Sequence, residues 1–145
     1  MGEKITVAIA TIATFIMLPY IMTLVMNGRY EDRVSELEKV STGRDVLVQL
    51  DNKNLLIDVE LYIAGVLPGL VSPDSSKDVI EAQAVAVRTK IYYTMGNKTV
   101  INAEELQFKY YTKQDYIDKW GSGKYKQIKV IYEEAVLNTI NKIIE

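Results

Sequence analysis

Between Leu56 and Tyr93 the chain reads LIDVELYIAGVLPGLVSPDSSKDVIEAQAVAVRTKIYY, and this stretch constrains the fold more than any other. Asp58 is placed to cap a helix from Val59, on which Leu61, Tyr62, Gly65 and Val66 form an apolar stripe. Pro68-Gly69 ends that helix. After the loop, Ser75 with Asp78 reads as a capping box heading a longer helix to about Met95. Ile80, Ala84, Val87 and Ile91 share one face of it, widened by Val79, Ala82 and Ala86, and Gly96-Asn97 closes it. Two apolar helices joined by a broken loop need a common core. The loop from Pro68 to Ser76 is then the natural place for a site.

Around this frame the elements are short. Val46–Leu50 and Leu55–Ile57 flank Asp51–Asn54 and read as a β-hairpin. Asn102 with Glu105 and Thr112 with Asp115 head two short helices, the second ended by Trp120-Gly121-Ser122-Gly123. From Lys124 a last helix points Tyr125, Ile128, Tyr132, Ala135, Val136 and Ile140 inward, with Lys129, Glu133 and Asn138 outward. Little strand is expected after residue 58. The expected class is mainly α (α+β): a transmembrane helix, a short hairpin, then about five helices.

The transmembrane expectation rests on Ile5–Met26, which holds no charged residue. At 1.5 Å per residue it spans roughly 33 Å, enough for a hydrocarbon core of about 30 Å. A signal peptide has a shorter apolar core and a small-x-small cleavage site, and Met26-Asn27-Gly28-Arg29 offers none. The segments are therefore a tail 1–4, an anchor 5–26, a linker or short helix 27–44 bearing Val34, Leu37 and Val40, and a domain 45–145. Lys4 precedes the span, while Arg29, Arg33, Lys39 and Arg44 follow it. The charge rule alone would put the carboxyl-terminal side in the cytoplasm.

The chain has no Cys and no His, which excludes disulfides, zinc sites built on thiolate or imidazole, and Ser–His or Cys–His catalysis. Net charge is −2, so nothing points to nucleic acid. No spacing of acids suggests a metal site, and no cofactor is expected. Glu104-Glu105 and Glu133-Glu134 read as solvated helix faces. The tyrosines of the second half suit core and rim packing, or a carbohydrate surface. Arg88, on an otherwise apolar helix, needs acceptors: a structural carboxylate, or an anionic or polyhydroxylated ligand.

Val59-Glu60-Leu61-Tyr62-Ile63-Ala64-Gly65-Val66 followed by Ala82-Gln83-Ala84-Val85-Ala86-Val87-Arg88-Thr89 resembles the stage II sporulation protein D family. Its pattern is approximately V-E-E-Y-L-x-G-V-V-x-x-E-M-P, then A-L-K-A-Q-A-V-A-A-R-T-Y, with the same spacing between blocks. Trp120-Gly121 and Ala135-Val136-x-x-Thr139 resemble later segments of the pattern, and Leu18-Pro19-Tyr20 to Asn27-Gly28 resembles the anchor of short members.

The resemblance implies a bacterial peptidoglycan protein, anchored with its domain outside the cell. Its substrate would be glycan strands, and its partners a cell-wall amidase of sporulation engulfment and the lipid bilayer. The implied activity is lytic transglycosylation: one carboxyl protonates the leaving oxygen and the sugar's own 6-hydroxyl closes a 1,6-anhydro ring. The family's catalytic Glu falls on Leu70 here, and losing a general acid typically costs ~10²–10⁴-fold. Asp74 and Glu81 are the nearest substitutes. Glu60, Gln83, Arg88 and Thr89 are expected as glycan-binding or architectural residues. Lys90 stands where the family has Tyr, and the metal-binding Cys and His of some members are absent. The chain stops at Glu145, just after the A-V-x-x-T segment, which implies a partial, inactive domain. An active enzyme completed by another chain and a truncated gene product are the alternatives.

Overall fold

The computed structural model describes residues 36–144, all within one compact unit. The tail 1–4, the anchor 5–26 and most of the linker 27–44 lie outside the described residues. Among the described residues no helix is long and apolar enough to cross a membrane.

Strands β1 (Asp45–Leu50) and β2 (Lys53–Asp58) form the expected hairpin, antiparallel with Asp45 opposite Asp58 and Leu50 opposite Lys53. The turn is tighter than the sequence suggested. Asp51 and Asn52 alone make it, at φ 50° and 60°, so Lys53 and Asn54 belong to β2. A two-residue loop with both φ positive follows the right-handed twist of the strands, and Asp and Asn tolerate that conformation.

A third strand, β3 (Val100–Asn102), pairs parallel with β1, giving the order β2-β1-β3. No pattern in the sequence marks it. Three residues are too few for alternation to register, and only the buried Ile101 betrays the inward face.

Helix α1 (Val59–Val66) is the hub, packed against the hairpin, α2 (Lys77–Met95) and α5 (Tyr125–Asn138). Asp58 caps it as expected: Oδ1 accepts from Glu60 N at 2.9 Å, while Oδ2 accepts from Thr42 N at 2.7 Å. A single 3-10 turn, Leu67–Gly69, stops α1 at the proline.

The α2 cap differs from expectation. Ser75 N donates to Ser72 O, which holds Ser75 in the preceding turn and moves the N-cap to Ser76, where no side-chain cap bond forms. The buried stripe of α2 is also narrower. Ile80, Ala84, Val87, Arg88, Ile91 and Met95 face the core, whereas Ala82 is exposed and Val79 is 52 % exposed.

Helices α3 (Ala103–Leu106) and α4 (Lys113–Trp120) carry the expected capping boxes at Asn102/Glu105 and Thr112/Asp115. In the second, Lys109 and Thr112 hold the Asp115 carboxyl down to a pKa of about 2. Helix α5 departs from expectation in two ways: Glu133 is buried, not solvated, and the helix ends at Asn138, which leaves Ile140 beyond it and half-buried.

Candidate functional site

Three local structures bear on function. The first joins the sequence blocks that carry the family resemblance. Glu60, in the first turn of α1, and Arg88, late in α2, form a two-pronged ion pair: Nε to Oε1 at 2.9 Å and Nη2 to Oε2 at 2.6 Å. Both side chains are buried. The rest of the guanidinium donates to the carboxyl-terminal segment, with Nη1 3.2 Å from Lys142 O and 3.4 Å from Thr139 Oγ1. Thr139 Oγ1 itself donates back to Ala135 O at 2.7 Å.

One residue on, Thr89 Oγ1 donates to Val85 O at 2.8 Å and accepts from Ile144 N at 3.0 Å. Glu60, Arg88 and Thr139 therefore meet in one network although they come from three separate blocks of sequence, and Thr89 ties α2 separately to the same late segment through Ile144. Gln83 lies earlier on α2, half-buried. Lys90 turns to α3, where Nζ donates to Leu106 O at 2.9 Å and sits 4.4 Å from the centroid of the Phe108 ring.

The second structure is the loop after α1. Leu70 is 42 % exposed and lines a cavity of about 260 Å³ with Pro68, Ser72, Pro73, Lys119 and Trp120. The loop is pinned from three sides. Lys119 Nζ donates to Pro68 O at 2.8 Å, Tyr132 Oη donates to Val71 O at 2.7 Å, and Gly69 lies against the Tyr111 ring. No carboxylate lines this cavity. Asp74 is exposed farther along the loop; burial raises the pKa of the Tyr132 phenol, and the Asp74 charge adds to that rise. Glu81 sits on α2, accepting from Asn138 Nδ2 at 2.9 Å and pairing with Lys77 at 3.6 Å.

The third structure went unread in the sequence. A cavity of about 480 Å³ lies among α1, α5, the hairpin and the segment before α4. Tyr110, Tyr116, Tyr125, Lys129 and Glu133 line it, with Gly65 at its base. The Tyr110 ring lies on Gly65 and stacks with Tyr62 at 5.8 Å. Tyr116 and Tyr125 meet edge to face at 5.5 Å. Burial pushes the Glu133 carboxyl up in pKa, against the pull of Lys129, whose Nζ is 3.2 Å from Oε1. Glu133 Oε2 is buried without a hydrogen-bond partner. Helical periodicity assigned Glu133 to the solvent face because a charged residue is the ordinary occupant there. Among the described residues no cluster of His, Cys, Asp or Glu could hold a metal ion.

These elements define a small α+β domain whose sequence blocks converge on one buried ion pair. Residues 51–145 match the profile of the stage II sporulation protein family SpoIID, and the chain belongs to that family. The family is one of sporulation and cell-wall remodelling. No curated protein sequence matches the chain significantly.

Proposed function

We propose that the chain is a membrane-anchored, non-catalytic SpoIID-type protein that holds peptidoglycan glycan strands during cell-wall remodelling, with its domain outside the cell. The observation that carries this reading is the Leu70 cavity. It sits where the family pattern has its acid, yet Leu70 cannot donate a proton and no other lining residue is a carboxylic acid. Trp120 and the backbone of the pinned loop still offer a surface on which a sugar ring can lie.

Asp74 and Glu81 do not line that cavity, which disfavours either as a replacement acid. In this reading Glu60, Arg88 and Thr89 are architectural: the guanidinium spends its donors on protein acceptors. Gln83, half-buried on α2 and outside the lining of the Leu70 cavity, is the member of that set left free of this role. Glycan strands, a cell-wall amidase of engulfment and the lipid bilayer are the partners this reading requires. The uncharged run Ile5–Met26 supports the anchor.

Incubation of the full chain with peptide-free glycan strands should yield no 1,6-anhydro products by mass spectrometry, while the strands co-sediment with the protein. Anhydro products that vanish in Asp74→Asn would replace this reading with an active transglycosylase. A phosphatase reporter fused after Glu145 should be active, as it is only outside the cytoplasm. An inactive but intact fusion would reverse the orientation.

A further inference from the structure

The cavity at Glu133 shares no lining residue with the Leu70 cavity, and Tyr111, which lines it, packs against Gly69 of the Leu70 loop. Its volume of about 480 Å³ falls within the range of small-molecule sites, roughly 300–1,000 Å³. Its walls are chemically specific. Four tyrosines, Tyr110, Tyr111, Tyr116 and Tyr125, line it, a residue type that combines an aromatic face with a hydroxyl tip. Gly65 has no Cβ to hold the Tyr110 ring away from α1, so that wall is built into the backbone.

Glu133 supplies the polar anchor. Lys129 satisfies one carboxyl oxygen from within the chain, and Oε2 is left without a partner although the residue is only 3 % exposed. A buried carboxyl oxygen of this kind is ordinarily hydrogen-bonded, to protein, water or ligand.

The charges around the cavity select among ligands. Lys113 and Lys129 nearly offset Glu38, Asp58 and Glu133, and Lys129 is already paired with Glu133. With little net charge to hold an ion, the lining suits a neutral molecule with an apolar face and several hydroxyls.

From this arrangement we infer that the Tyr110–Tyr125–Glu133 cavity is a binding site for a neutral pyranose saccharide, which lies against the tyrosine rings and gives a hydroxyl hydrogen bond to the Glu133 carboxyl. The site shares only its ligand class with the cell-wall reading and does not depend on the Leu70 cavity.

The probe is the N-acetylglucosamine tetrasaccharide, titrated into full chain in detergent, with lysinamide as the cationic comparator. The readout is the ¹³C resonance of the Glu133 carboxyl, assigned by its loss in Glu133→Gln. The expected result is a saturable shift with the saccharide, none with lysinamide, and at least about ten-fold weaker binding in Tyr125→Ala, a loss of about 1.4 kcal/mol. A resonance that stays fixed up to the solubility of the saccharide, or moves equally with lysinamide, overturns the inference. Because the wild-type resonance decides this, a variant that fails to fold does not protect the idea. Saccharide binding without glycan co-sedimentation would sink the cell-wall reading alone. Co-sedimentation with a silent Glu133 resonance would sink this one alone.

Discussion

Replacing Arg88 by Met should lower the unfolding free energy by about 3–5 kcal/mol, the usual result of breaking a buried ion pair from one side. The reason lies in what is left behind. Glu60 is 1 % exposed, and both its oxygens are bonded to the guanidinium. Without Arg88 the carboxylate must bind a proton or draw in water, and Thr139 Oγ1 and Lys142 O lose a donor as well. A domain is commonly stable by only about 5–15 kcal/mol, so the variant should be near the edge of folding at room temperature. The double change Arg88→Met with Glu60→Leu should recover a substantial part, because no charge is then stranded. Urea unfolding followed by circular dichroism measures both. A loss below about 1 kcal/mol for the single variant would mean that the pair behaves as a hydrated surface bridge.

Gly65→Ala should be the second most damaging small change, costing about 1–3 kcal/mol by overpacking. An added Cβ would come closer than 3.0 Å to three carbons of the Tyr110 ring. That ring is stacked on Tyr62, and Tyr111 N donates to Gly65 O at 2.8 Å, so neither side chain nor backbone yields easily. Ala has the better helix propensity, which works against the predicted sign by somewhat less than about 1 kcal/mol. The test is therefore discriminating: a neutral or stabilised variant would show that Tyr110 moves freely off the helix. Combining Gly65→Ala with Tyr110→Leu should restore part of the loss, since the smaller side chain leaves room for the methyl group.

The elements with strong periodicity or two-ended caps were legible in the sequence. Helix α2 announced itself through Ile80, Ala84, Val87 and Ile91, and Thr112 with Asp115 marked the start of α4. Features decided by tertiary contact were not. Strand β3 exists because β1 offers a free edge beside Thr99–Asn102, something no three-residue pattern encodes. Ser75 failed as a cap because the turn from Ser72 took its N–H first.

The site divides in the same way. Arg88 on an apolar face signalled a buried partner, but whether that partner was a protein carboxylate or a ligand needed Glu60 to be brought from 28 residues away. Glu133 gave no signal at all. A glutamate beside another glutamate on a helix reads as solvated until the tyrosines of a distant segment are seen to cover it.

The closing of the Arg88 network by residues 139–142 has a consequence for synthesis. Ribosomal growth delivers Glu60 and Arg88 early, and the acceptors that complete the guanidinium's shell come about 50 residues later in the chain, with separations of 51 for Thr139 and 54 for Lys142. Until those residues leave the exit tunnel, α1 and α2 can dock only around a charge that still holds water. Final drying of the interior thus waits for a segment made about 50 residues after Arg88. A nascent domain should therefore be more open to proteases before residue 142 has left the ribosome than after it.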